Sequence, residues 1–427
     1  MKNSRKPFAP FIPICLVALA TSALLMSCSS IDVGSGLSQR AMKIAEESLI
    51  VDTHIDVPYR VYRNPEVDVT QATEGGDFDL PRARKGHLNG AFMSIYIPAG
   101  VDQEGRAGDL ANELIDLVEG IVARAPSDFA IATCSQDLIH QKRQGLVSLP
   151  MGMENGGPIG DDLASVKHFR ERGIRYVTLT HGRSNKISDS SYDTNQRWKG
   201  LSPYGKELVP ELNSQGIMID ISHLSDKAAW QVLELSTTPV IASHSSLRHF
   251  IPGFHRNMTD EMVKALADNG GVIQINFGSG FILEESRIWS SQRSAAEAWF
   301  RREQGNNMDP EALQAFRKQW RTENPYPFAD TDDVLDHIDR VVELAGIDYV
   351  GIGSDYDGVG DTLPDGLKDA STFPNLIQGL LDRGYSKTDI RKILGDNLMR
   401  VWRANEAFAE SSGYPTLCTS DLSRAEA

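Results

Sequence analysis

Side chains of metal-ligating type stand at the ends of apolar runs along this chain. The first are His54 and Asp56, in Val51-Asp52-Thr53-His54-Ile55-Asp56. The apolar run before them reads as a buried strand. In an extended chain residues i and i+2 face the same way, so this pair can hold one ion if the chain stays extended. An imidazole with a carboxylate suits zinc or another borderline divalent cation. A single His-x-Asp arises often by chance, but the pattern recurs. Glu154 follows the third run in Met153-Glu154-Asn155-Gly156, and His181 follows the fourth. His223 follows the fifth in Asp220-Ile221-Ser222-His223, and His244 the sixth in Ser243-His244-Ser245. Asp355 follows the eighth in Gly353-Ser354-Asp355-Tyr356-Asp357-Gly358. Four of the ten histidines fall at such ends, where random placement would scatter them.

Two divalent cations about 3.5–4 Å apart need a bridging carboxylate and further ligands on each. Glu154 is the natural bridge, with His54 and Asp56 on one ion and His223 and His244 on the other. Asp355 is placed to take a proton from the attacking water and pass it to a leaving amine. His181 suits either a ligand or a hydrogen-bond donor; with both ions supplied, it reads as a donor to a substrate carbonyl oxygen. Arg256, in His255-Arg256-Asn257, suits bidentate capture of a carboxylate, though a solvated loop arginine would read the same. His249, His255 and His337 receive no chemical role.

The elements that must position these groups are eight β-rich runs. They are Leu49–Thr53, Ala91–Ile97, Leu146–Met153, Ile174–Thr180, Gly216–Ile221, Pro239–Ala242, Val272–Phe277 and Tyr349–Gly353. Helical patterns separate most of them, among them Gly108–Arg124, Asp161–Arg172 and Thr331–Ala345. Eight strand–helix units predict an α/β chain folded as a (β/α)8 barrel, whose strand ends share one rim. Tyr59–Leu88 reads as a long loop. Leu283–Phe328 reads as a helical insertion between the seventh and eighth strands. It carries Trp289, Trp299 and Trp320, half of the six tryptophans, which suit packing onto the barrel, a lid or a subunit contact and leave a homodimer open. A net charge of −15 offers no basic field for nucleic acid.

Lys2, Arg5 and Lys6 followed by an apolar run to Met26 make a secretory signal over residues 1–27. Leu25-Met26-Ser27-Cys28 is similar to a bacterial lipobox, so Cys28 is expected to carry lipid. Residues 28–40 are then a tether, 41–408 the barrel and 409–427 a polar tail. Ser29 after the cysteine favours the outer membrane, facing the periplasm. Cys134 and Cys418 remain available for pairing in an oxidising compartment.

In order, Asp52-Thr53-His54-Ile55-Asp56, Asp79-Leu80-Pro81-Arg82, Glu154-Asn155-Gly156, Thr178-Leu179-Thr180-His181, Asp220-Ile221-Ser222-His223, Ser243-His244-Ser245, Arg256-Asn257, the Gly351–Gly358 stretch and Gly395-Asp396-Asn397-Leu398-Met399-Arg400 resemble the membrane (renal-type) dipeptidases, a branch of the amidohydrolase barrels. The resemblance runs from about Ala41 to Ala407. It implies two zinc ions per chain on His54, Asp56, Glu154, His223 and His244, and dipeptides as substrates. It further implies Asp355 as acid/base and His181 and Arg256 as substrate contacts. Phe277 stands where many relatives carry a tyrosine, and the insertion is longer than in the animal enzymes. An N-acyl amino acid or lactone hydrolase on the same two-metal barrel is the alternative. A binding protein without catalysis would be expected to lack a ligand, and none is lacking.

Overall fold

Each apolar run forms a strand buried along its whole length or nearly so, as expected of a parallel sheet covered on both faces. The computed structural model describes residues 37–160, 162–305 and 309–419. The leader, Cys28 and most of the tether lie outside these, as does the end of the tail. The strands are β1 (Ile50–Ile55), β2 (Leu88–Tyr96), β3 (Phe129–Ile131), β4 (Val147–Leu149), β5 (Met151–Glu154), β6 (Ile174–Thr178), β7 (Met218–Asp220), β8 (Ile241–Ser245), β9 (Val272–Ile275) and β10 (Val350–Ile352). All pairings are parallel: β1 on β2, β2 on β5, and then each neighbour in turn to β10. The ring closes where Asp355 N–H donates to the His54 carbonyl (3.1 Å) and Asp56 N–H to that of Tyr356 (2.9 Å). This is the α/β barrel expected from the runs.

Three details differ from expectation. The third run is two strands, because Pro150 interrupts it; β4 pairs the early part of β2 and the extra strand β3, while β5 continues along the rim. The segment after β1 is not all loop. Val57–Arg63 is helical with Pro58 in its first turn, and Leu80–Lys85 is capped by Asp79, which accepts from Arg82 N–H (2.8 Å). The chain also turns at Asp56 (φ −87°, ψ 25°) rather than staying extended.

Val51, Phe92, Tyr176, Met218, Ile241 and Val272 form one apolar cluster with Leu398, Met399 and Trp402 of the helix Asn397–Ser411. That helix covers strand starts, leaving the strand ends for chemistry. Between β9 and β10 lie the helices Glu284–Gln304 and Pro310–Glu323. Trp289 is buried there against Trp320 (4.9 Å between ring centroids) and Tyr326 (4.8 Å). Trp299 is 56 % exposed. Cys134 and Cys418 form a disulfide across Cα atoms 5.1 Å apart, which occupies the thiols grouped with Asp137 and ties the C-terminal segment to the barrel. Among the described residues no helix is long and apolar enough to cross a membrane.

Candidate metal centre

The C-terminal ends of β1, β5 and β8 and the turn after β7 bring His54, Glu154, His244 and His223 to one point. Glu154, the last residue of β5, is buried at the centre. Its Oε2 lies 3.5 Å from His54 Nε2, which is also 3.5 Å from Asp56 Oδ2. Its Oε1 lies 3.2 Å from His223 Nε2, 3.3 Å from His244 Nε2 and 3.6 Å from His181 Nε2. Three overlapping groups of ligand atoms result: His54, Glu154 and His244; Glu154, His181 and His223; and His54, Asp56 and Asp355. All five residues expected to bind metal therefore meet, and His181 and Asp355 stand with them. His54 and His244 lie inside their strands' last turns of pleat rather than beyond them.

The hydrogen bonds behind the rings decide which nitrogen faces inward. Tyr176 O–H donates to the Thr53 carbonyl (3.1 Å), so at 2.8 Å it can only accept from His54 Nδ1–H. Ser243 O–H donates to Asp220 Oδ2 (2.6 Å), so it accepts from His244 Nδ1–H (2.7 Å). In their neutral forms both rings thus turn an Nε2 lone pair toward Glu154. Burial pushes His244 down to about 3, with His54 adding to it, and burial with Arg256 holds His223 well below its ordinary value. Those two imidazoles are neutral near pH 7, the form that ligates metal. Burial disfavours charge on His54, yet Tyr176, Glu154 and Asp56 raise its pKa well above the usual value. Converging lone pairs and carboxylates that draw positive charge suit a bound cation.

His223 (φ 67°) and Asp355 (φ 64°) have a left-handed backbone, which costs of order 1–3 kcal/mol each and aims their side chains at the centre. Asn155 (φ 75°) shares that backbone but turns its amide away, donating to the Ile97 carbonyl (3.0 Å) and accepting from Asn185 Nδ2 (2.8 Å). Gly358 is required because a Cβ there would fall 2.3 Å from carboxylate oxygens of both Asp355 and Asp56. Gly152 makes room for the Tyr176 ring, which a Cβ would approach within 2.0 Å. Burial raises the Asp355 carboxyl above its usual range, opposed by His244 and His54.

A cavity of about 520 Å³ opens over the centre, a size suited to a small ligand. Glu154, Asp56, Asp355, His181, His223 and His244 line it, with Tyr96, Tyr192 and Phe281. His181, with a quarter of its side chain exposed, is the most open of the four histidines. Arg256 sits behind this wall. Its Nη1 donates to Ser245 Oγ (2.8 Å), its Nη2 to the His244 carbonyl (2.8 Å), and its buried Nε has no partner. Its charge adds to burial, the larger cause, in lowering His181, His223 and His244, while two of its five N–H groups are committed to the chain.

Compared with known families, residues 38–415 match the membrane dipeptidases, peptidase family M19. The chain belongs to that family. Dipeptidase 3 of Mus musculus is 31% identical over 384 residues, 88% of this chain and 68% of that protein. The solved structure of the probable dipeptidase PvdM from Pseudomonas aeruginosa is 30% identical with a TM-score of 0.75, covering 87% of this chain and 98% of that one. A metallo peptidase from Rhodobacter sphaeroides, liganded with a phosphinate mimic of the dipeptide L-Ala-D-Ala, shares the fold. It is 24% identical with a TM-score of 0.69, covering 84% of this chain and all of that one. The protein is accordingly a dipeptidase of a metallopeptidase family.

Several working residues of this dipeptidase escaped sequence reasoning. Tyr176 and Ser243 fix tautomers, and Asn276 donates to Asp355 Oδ2 (2.7 Å). Asp52 joins the ends of β1 and β10, its Oδ1 accepting from His54 N–H (3.1 Å) and Ser354 N–H (3.0 Å), and burial carries it up to about 7. Tyr176 lies mid-strand, where period and polarity mark it only as core. Tyr176→Phe is expected to lower metal affinity about 10–100-fold by freeing His54 Nδ1. Metal titration by calorimetry checks this; unchanged affinity would remove Tyr176 from the site's support.

Proposed function

We propose that this dipeptidase binds two zinc ions and is held by lipid on Cys28 to the bacterial outer membrane, facing the periplasm. The observation that carries the two-ion reading is the division of Glu154: one oxygen faces His54, the other faces His223 and His244. His54 and Asp56 would hold one ion and His223 and His244 the other, with Glu154 between them. Bound there, the ions supply a hydroxide nucleophile near neutral pH and polarise the scissile carbonyl.

The chain's own groups do the rest. Asp355, oriented by Asn276, takes a proton from the nucleophile and returns it to the leaving amine. His181 faces the cavity and donates to the carbonyl oxygen as charge develops there. Arg256 draws the substrate's terminal carboxylate toward the His244 side, which favours short peptides. The Rhodobacter relative is liganded with a phosphinate mimic of a dipeptide, and the cavity of about 520 Å³ here has room for a small ligand of that class.

Elemental analysis after zinc reconstitution should find about two zinc ions per chain, with turnover of Ala-Ala above that of N-acyl amino acids and lactones. One ion or none would end the two-ion reading, and a lactone preference would favour the alternative hydrolase. Cys28→Ser should release the protein from membranes; retention in the membrane fraction would refute the anchor. A homodimer through the face bearing Trp299 belongs to the same proposal, and a monomeric sedimentation profile of the Cys28→Ser form would count against it.

A further inference from the structure

The cavity wall carries a cation that the mechanism above leaves without a use. Arg287, on the helix Glu284–Gln304 of the insertion, lines the cavity beside Ser290, with Tyr326 farther along the same insertion. Its guanidinium lies 4.3 Å from the centroid of the Phe254 ring. The side chain is half-buried, and among the described residues no carboxylate pairs with it and no acceptor takes its N–H groups. The other arginines of the wall differ. Arg60 donates to Asp357 Oδ2 (3.0 Å) and to the Phe78 carbonyl (3.0 Å), and Arg63 is exposed.

A partly desolvated guanidinium without a counter-ion loses hydration and regains nothing from the chain. Stacking on an aromatic face holds the fork in place without using its donors. Arg287 is therefore an anion receptor with a fixed position. Its relation to Arg256 says which anion. Arg256 lies over Phe281 (5.5 Å), and the Phe281 and Phe254 rings touch (5.8 Å between centroids). The two guanidiniums thus flank one pair of rings, with Arg256 deeper and Arg287 farther out on the insertion.

We propose that Arg287 selects dipeptides whose C-terminal residue bears an acidic side chain. The α-carboxylate lies on the Arg256 side, and the second carboxylate reaches Arg287. This rests on the dipeptidase reading of the same site. It assigns the insertion a part in specificity.

The test compares Ala-Glu with Ala-Gln, substrates of matched size, on the zinc-loaded protein. A charge-assisted pair should favour Ala-Glu by at least about tenfold in kcat/KM, chiefly through KM. Arg287→Gln should bring that ratio to about one, and Arg287→Lys should keep part of the preference. A wild-type ratio near one overturns the proposal. So does a ratio unchanged in Arg287→Gln, or a common fall on Ala-Glu, Ala-Gln and Ala-Ala, which would make Arg287 a support of the fold or a contact of the α-carboxylate. Ala-Ala turnover separates the two levels. With it, a missing Glu preference sinks this inference alone; without it, the dipeptidase reading falls first.

Discussion

Asp355→Asn is expected to lower kcat by about 10²–10⁴-fold while metal content stays near that of the unaltered protein. The substitution is close to neutral for structure. An asparagine amide oxygen can still accept from Asn276 Nδ2, and asparagine tolerates the left-handed backbone that Asp355 adopts (φ 64°). What is lost is the capacity to take and return a proton. Burial raises this carboxyl, which places it nearer the working pH than an exposed aspartate. The checks are steady-state rates on a dipeptide panel and elemental analysis of the same sample. A wild-type rate would show that another group moves the proton.

Glu154→Gln should have the opposite signature, a protein that folds but loses metal. Glu154 is the carboxylate that reaches both sides of the cluster, with one oxygen toward His54 and the other toward His223 and His244. The amide keeps the volume but removes the charge, and it turns donor hydrogens toward imidazole lone pairs. Bound zinc is expected to fall from about two ions to one or fewer, with turnover down by roughly 10³-fold. Added zinc should raise Tm in the unaltered protein and much less in the variant, since metal stabilises only the state that binds it. Full metal content in Glu154→Gln would refute the bridging role.

Most of the barrel was legible because its strands are buried on both faces and read as continuous apolar runs, broken by helices of clear period. Thr331–Ala345 has the bounds that its pattern predicts. The errors fall where local rules compete. Pro150 divides a run that hydropathy reads as one strand, and Pro58 and Asp79 start helices in a stretch whose polarity reads as loop.

The convergence of the candidate ligands was readable from sequence because metal chemistry restricts residue type, and a parallel barrel gathers strand ends at one rim. His54, Asp56, Glu154, His223, His244, His181 and Asp355 could therefore be named from position alone. The tertiary structure decided what residue type does not carry. Tyr176 and Ser243 became supports of the ligands only when the fold set their hydroxyls against ring nitrogens. Arg256 came to lie behind the wall and Arg287 on it, because packing of Phe254 and Phe281 determines which guanidinium meets the cavity. Chain order lists the side chains that can do chemistry; their directions arise from contacts between residues distant in sequence.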